Sequence, residues 1–106
     1  MKTNKLRLFF EENDFNVHLT KQDNVQCAEV ETWTNGGVNM IMWLNPFTVE
    51  EFEGYVKDFD VDETIELHRQ GKDYKDAFTI SQSLKDFEQY HIRLKATLSE
   101  LKSYKK

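Results

Sequence analysis

The sequence predicts an α+β fold: a three- to four-stranded antiparallel meander followed by two or three helices packed on one of its faces. Two observations predict this fold. Apolar residues recur with period two in the first half of the chain and with the helical period after Pro46. Because strands precede helices, a parallel sheet is disfavoured. The 106 residues suit a single domain, with the sheet at about residues 5–44 and the helical part at about residues 48–104.

The first predicted hairpin joins the segments "KLRLFF" and "FNVHLT" through the loop "EEND". In this pairing six apolar residues fall on one face of the sheet. They are Leu6, Leu8, Phe10, Phe15, Val17 and Leu19. A helix at residues 4–12 remains the alternative.

The second predicted hairpin lies in "ETWTNGGVNMIMWL", where the loop length decides the register. A two-residue Asn-Gly turn would place Glu31 opposite Met40, among apolar side chains. A three-residue loop at residues 35–37 gives a uniformly apolar or neutral face, with the second glycine at the left-handed position of a bulge. We therefore predict the pairs Thr34–Val38, Thr32–Met40, Val30–Met42 and Ala28–Leu44, with Met40 and Met42 beneath helices and Glu29 and Glu31 pointing away.

This register places Trp33 and Trp43 together on the opposite face of the sheet. Their predicted neighbours there are Asn16, His18, Thr20, Cys27, Glu29, Glu31, Asn39 and Ile41. Two large aromatic residues on a mixed surface predict one of two things. Either a helix covers this face, or the face binds a partner.

A helix is predicted after Pro46. Thr48 is its N-cap and Glu51 completes a capping box, while Phe47 and Phe52 form a hydrophobic staple. The apolar stripe of this helix is Val49, Phe52, Val56 and Phe59.

Two more helices are predicted downstream. The first covers residues 63–70, with Asp62 as its cap and Gly71 at its end, although alternation of Ile65 with Leu67 also allows a strand. The second starts from a cap at Thr79 or Ser81. Its stripe consists of Leu84, Phe87, Leu94, Leu98 and Leu101, with Tyr90 and His91 beside it. Such a stripe predicts core packing first and a dimerising or partner-binding helix second.

Composition indicates a globular, cytoplasmic protein. Hydrophobic residues make up 39% of the chain and charged residues 31%. Cys27 is the single cysteine, so no intrachain disulfide can form and a reducing compartment is favoured. No segment has the length of a signal peptide's apolar region or of a membrane span. We expect no membrane association and a monomer or homodimer.

The charge is unevenly distributed, and this distribution predicts the partner. The formal net charge is −5; residues 50–66 carry eight acids and one base, whereas residues 91–106 carry five bases and one acid. The overall sign disfavours direct binding to nucleic acid and permits an acidic surface that meets a basic protein. The candidate partner-binding residues are Glu50, Glu53, Asp58, Asp60, Asp62, Glu63, Glu66, Trp33 and Trp43.

We predict no catalytic residues, no cofactor and no metal. Asp58, Asp60 and Asp62 have the spacing of a calcium loop, but the loop's glycine and final glutamate positions hold Glu63 and Arg69. His18 and Cys27 could share a sheet face as a nucleophile pair, yet nothing else in the sequence supports such a site. The chain is therefore expected not to be an enzyme.

Three stretches carry a resemblance: "ETWTNGGVNMIMWL", "DFDVDETIELHRQGKDYKDAFTI" and "LKDFEQYHIRLK". Together they resemble small, acidic, uncharacterised proteins of phages and mobile elements of Gram-positive bacteria, over roughly residues 27–95. The resemblance implies an inhibitor of host defence of the anti-CRISPR or anti-restriction type. It includes no catalytic motif and so assigns no role to any residue.

Two functions follow as expectations. The first is a non-enzymatic protein-binding module whose acidic surface acts as a DNA mimic and inhibits a nucleic-acid-binding host protein. The alternative is a structural or regulatory phage-type protein that binds through the face carrying Trp33 and Trp43.

Overall fold

The computed structural model describes the backbone of residues 1–71 and 77–104, and the side chains of residues 1–67 and 83–103. Its elements are α1 (Thr3–Glu12), β1 (Asn16–Gln22), β2 (Val25–Trp33), β3 (Asn39–Leu44), α2 (Val49–Asp58), α3 (Val61–Gly71) and α4 (Ala77–Tyr104). In this part of the chain the sheet has three antiparallel strands in the order β1-β2-β3. The predicted α+β class is confirmed.

The N-terminal segment is a helix, so the prediction of a first hairpin was wrong and the helical alternative is correct. Leu6, Phe9 and Phe10 are buried, at the i, i+3, i+4 spacing of a helix face. Leu8, which the strand interpretation placed in the core, is 50% exposed. The segment "KLRLFF" fits both the strand period of two and the helical period of 3.6. The burial of Phe9 on the same side as Phe10 shows that the helical period is the correct one. Phe10 then packs against the rings of Phe15, Phe47 and Phe52.

The β2–β3 hairpin has the predicted three-residue loop and register. Thr32 pairs with Met40 and Val30 with Met42. Gly37 has φ +85° and donates its N–H to the Thr34 carbonyl, as the bulge requires. Met42 is fully buried and Met40 is partly buried against the core, while the glutamates of β2 lie on the other face.

Helix α2 begins at the predicted cap. The Thr48 hydroxyl accepts the N–H of Glu51 at 3.2 Å. The Thr48 N–H donates to the Pro46 carbonyl at 3.0 Å and so stabilises a turn. In a complete capping box this N–H would donate to the Glu51 side chain. The predicted apolar stripe is confirmed: three of its members are buried and Phe59 packs against the core.

Helix α3 is confirmed as a helix, but its cap was assigned to the wrong residue. The Asp60 carboxylate, and not that of Asp62, accepts the N–H of Glu63 at 3.2 Å. The Asp60 carbonyl also accepts the N–H of Thr64. Both aspartates are good caps, and the helix starts earlier than predicted because Val61 joins its first turn.

Helix α4 begins at Ala77, before the predicted cap at Thr79 or Ser81. Those two residues lie inside the helix. A single Thr or Ser is a weak boundary signal, because either is tolerated within a long helix. The predicted core stripe is confirmed, since Phe87, Leu94 and Leu101 are buried together with Tyr90.

Helix α4 also anchors the tip of the β2–β3 hairpin. The Asp86 carboxylate accepts the N–H of Gly36 at 3.2 Å, and the Gln89 side chain accepts the N–H of Asn35 at 2.9 Å. Arg93 donates to the Thr32 hydroxyl at 2.6 Å. These bonds fix the hairpin relative to α4, and α2 and α3 pack against the same helix.

Candidate partner-binding groove

A groove of about 660 Å³ lies between β3 and the helices α2 and α3. It is lined by Met40, Ile41, Trp43, Glu50, Glu51, Gly54, Tyr55, Asp58, Phe59, Asp60, Glu63, Thr64 and Leu67. We call this feature the acidic groove. It brings together the two surfaces that the sequence suggested separately, the acidic segment and the aromatic sheet face.

The acidic groove runs along the free edge of β3. Met40 points to the helical side of the sheet, whereas Ile41 and Trp43 point to the opposite side, because successive residues of a strand alternate. A single cavity that touches all three must therefore lie beside the strand. β3 is the last strand in the sheet order, so this edge has no neighbouring strand among the described residues.

Helical phase explains which acids enter the groove. On α2, Glu50, Gly54 and Asp58 recur every four residues and so share one face. Asp60, at the start of α3, is followed on the same face by Glu63 and Leu67. The five groove carboxylates are Glu50, Glu51, Asp58, Asp60 and Glu63, and no lysine or arginine is among the lining residues just named. The groove therefore presents negative charge on its helical wall.

Two aromatic residues of the groove lining, Tyr55 and Phe59, contact the buried Tyr90. The hydroxyls of Tyr55 and Tyr90 lie 3.4 Å apart, and the rings of Phe59 and Tyr90 meet edge to face. Burial raises the pKa of Tyr55. Burial, and next the neighbouring Tyr55, raises the pKa of Tyr90. Both phenols thus stay protonated, and the charge of the groove comes from its carboxylates.

The structure divides the predicted partner-binding residues. Four acids and Trp43 line the acidic groove. Glu53 lies on another face of α2 and forms an ion pair with Lys102 at 2.8 Å. Asp62 and Glu66 lie on α3, outside the groove lining. Trp33 is at the far end of the sheet face.

Eight of the thirteen groove residues lie outside the predicted partner-binding set, and Glu51 and Ile41 are among them. The sequence places Glu51 in the capping box of α2; the structure also places this residue along the groove, while its N–H donates to the Thr48 hydroxyl. Ile41 was placed on the aromatic face without being named as a binding residue. Glu50 and Glu51 precede Asp58 by about two helical turns, so the helical period alone predicts that they share its face. The position of α3 relative to β3 has no signal in the local sequence.

The open face of the sheet carries exposed apolar side chains. Trp33 is 56% exposed, Ile41 54% and Trp43 44%. No described helix covers these three side chains, so of the two alternatives for this face, the helix-covered one is wrong over the part of the chain that the structure describes. Beside them, the Glu31 carboxylate accepts hydrogen bonds from His18 at 3.0 Å and from Asn39 at 3.3 Å. These bonds, chiefly that from His18, lower the pKa of Glu31.

Within the described residues, His18 and Cys27 have separate hydrogen-bond partners. Cys27 is fully buried, and its thiol donates to the Val25 carbonyl at 3.3 Å, while His18 is hydrogen-bonded to Glu31. No group of three His, Cys, Asp or Glu side chains within residues 1–67 and 83–103 is arranged to hold a metal ion.

Comparison with protein-family models, curated proteins and solved structures finds no match to this chain. Of the helices in the described residues, none combines the length and the apolar character needed to cross a membrane.

Proposed function

We propose that the chain is a non-enzymatic, cytoplasmic protein-binding module that holds a basic protein in its acidic groove. One observation carries the proposal: five acidic residues and three exposed apolar residues, Ile41, Trp43 and Leu67, border the same groove. An interface of this kind combines charge for steering with an aromatic anchor for affinity. The hydrogen bonds from the hairpin to α4, against which α2 and α3 also pack, support it, because a preorganised site loses little entropy on binding.

The partner we propose is a nucleic-acid-binding host protein, which the module inhibits. A protein that binds phosphates presents clustered Lys and Arg side chains, and carboxylates can occupy these in place of phosphates. The resemblance to small acidic phage and mobile-element proteins points to the same class, that of anti-CRISPR or anti-restriction inhibitors. Acids outside the groove, including Asp62 and Glu66, add to the long-range attraction.

A second candidate is a structural or regulatory phage-type protein that binds through the sheet face. Its support is the exposure of Trp33, Ile41 and Trp43, which lie on one side of β2 and β3. This binding mode depends on apolar burial, so ionic strength should affect it little.

Two charge-matched variants test the leading proposal. The groove variant is Glu51→Gln, Asp58→Asn and Glu63→Gln, and the control variant is Asp62→Asn, Glu66→Gln and Glu100→Gln. Each removes three negative charges, and each leaves the Asp60 cap of α3 intact. The partner is first obtained by co-purification from the native host, and association rates are then measured over a range of salt concentrations.

The groove variant should associate roughly tenfold more slowly than the wild type at low salt, with a flatter salt dependence. The control variant should lose much less, because its charges lie outside the groove. Equal losses for the two variants would mean that net charge and not the groove governs binding. Wild-type rates for both would reject the acidic groove and favour the sheet face.

A further inference from the structure

We propose that the partner contributes an extended segment of alternating basic and apolar residues, which adds as a strand to the free edge of β3. This inference rests on the proposed function and specifies how the acidic groove is filled. It follows from the backbone of β3, from the absence of charge on that strand, and from the positions of the groove walls.

The hydrogen-bond pattern of the hairpin identifies the free backbone groups. The Thr34 N–H donates to the Val38 carbonyl at 2.9 Å, so these two residues form a hydrogen-bonded pair. Such pairs alternate along an antiparallel ladder, and Met40 and Met42 therefore direct their N–H and C=O groups toward β2. The groups of Ile41 and Trp43 point the other way, along the groove, where the described chain offers them no strand partner.

The sequence of β3 leaves this edge open. Edge strands are normally protected from pairing by lysine, proline, a bulge or a covering element. The six residues of β3, "NMIMWL", include no charged residue and no proline. β1, at the other edge of the sheet, carries Lys21 within its span. An uncharged edge that borders a cavity is suited to main-chain pairing with another segment.

The walls of the groove determine the side chains of that segment. Side chains of an added strand would alternate between the two faces of the sheet. One set would project toward the helical side, where Glu50, Asp58 and Glu63 stand, and would be basic. The other set would lie beside Ile41 and Trp43 on the open face, and would be apolar.

Charge also decides against a second copy of this chain as the occupant. Pairing of two β3 edges would bring two acidic grooves together, with five carboxylates in each. Like charges at close range oppose association. A basic segment gains attraction in the same position.

The test uses a synthetic octapeptide of alternating Lys and Val, with residue-resolved hydrogen exchange on the full chain. In the free protein, the N–H groups of Met40 and Met42 should exchange slowly, and those of Ile41 and Trp43 rapidly. Added peptide at millimolar concentration should slow exchange at Ile41 and Trp43 by about tenfold or more, since both would then donate to the peptide. The control peptides have the same sequence but are N-methylated on alternate residues.

N-methylation of the set that faces β3 should abolish this protection, and N-methylation of the other set should preserve it. Peptide binding that needs the groove carboxylates but leaves Ile41 and Trp43 unprotected would reject strand addition while leaving the proposed function standing. Slow exchange at both residues without peptide, in a dimer, would show that a second copy occupies the edge. No binding of the peptide, together with equal association of the groove and control variants with the native partner, would overturn both proposals.

Discussion

Neighbouring glycines in the β2–β3 loop serve different purposes. Gly36 gives its N–H to the buried Asp86 carboxylate, and a Cβ atom at this position would lie only 2.6 Å from Asp86 Oδ2. Gly37 has open space around it but a φ of +85°. The sequence predicted the backbone role of Gly37 from loop length alone. It could not predict the role of Gly36, because Asp86 is fifty residues away along the chain.

Substitution of Gly36 by alanine should therefore destabilise the fold by about 1–3 kcal/mol, because the methyl group would displace Asp86 or open the hydrogen bond to it. Gly54 provides the matched control. It lies inside α2, where an added Cβ would meet no atom beyond its own helix within 4 Å, and Gly54→Ala should stabilise by about 0.5–1 kcal/mol. Urea denaturation of both variants measures the two effects. A Gly36→Ala variant as stable as the wild type would show that the contact with Asp86 does not anchor the hairpin.

Helix boundaries and helix identity were predictable to different degrees. Thr48 was recognised as the cap of α2 because a threonine, an apolar run and a glutamate stand in fixed order. Helix α1 was mistaken for a strand because "KLRLFF" alternates, and only burial of Phe9 against Phe10 settles its period. The N-cap of α3 is Asp60 and not the predicted Asp62, because several neighbouring aspartates suit the N-cap position equally well. The sequence pattern thus predicted the element type correctly where a single hydrophobic period dominated. The prediction was wrong where the segment fitted both the strand and the helical period.

The variant Thr48→Ala should destabilise the protein by ~1 kcal/mol through loss of the hydroxyl that accepts the Glu51 N–H. Thr48→Ser retains that oxygen and should stay close to the wild type. Thermal or urea denaturation measures both. If alanine and serine gave the same midpoint, the hydroxyl would have no capping role.

Helix α4 carries a group that links stability to pH. The ring of His91 packs against Phe59, with ring centroids 5.1 Å apart. Burial, and next the charge of Lys95, lower the pKa of His91, while Asp60 acts in the opposite direction. The folded state therefore favours the neutral ring. Its contribution to stability is complete above the ordinary pKa of about 6.5 and is lost as the pH falls through the lowered value.

The advantage of the wild type over His91→Asn should accordingly be larger at about pH 7.5 than at about pH 5, since protonation of the ring is disfavoured in the folded state. Denaturation midpoints of both proteins at the two pH values give the comparison. An advantage that stays constant or grows on acidification would contradict the lowered pKa of His91.

Across the whole molecule, the fold gathers acidic residues of segment 50–66 into the acidic groove. The acidic segment 50–66 turns at Asp60, so five of its acidic residues line one groove beside β3. Glu53 forms an ion pair with Lys102 and is not among the groove residues. The sequence predicted the acidic character and named most of the groove acids. It did not predict that they border the same groove as Trp43, because that arrangement depends on how the helices lie relative to the sheet.

The two tryptophans distinguish groove binding from binding by the whole sheet face. Trp43 lines the acidic groove, whereas Trp33 pairs with Asn39, four residues before Trp43 on β3 and thus roughly 13 Å away along the strand. A partner seated in the groove should bury the first ring and leave the second in solvent. A partner on the sheet face should bury both.

The most direct measurement is fluorine NMR of this chain labelled with fluorotryptophan, free and in complex with the co-purified partner. The variants Trp33→Phe and Trp43→Phe assign the two signals. We expect the Trp43 signal to shift and to lose its sensitivity to solvent on binding, while the Trp33 signal keeps its free position. A shift at Trp33 with Trp43 unchanged, or equal shifts at both, would contradict the acidic groove as the place where the partner binds.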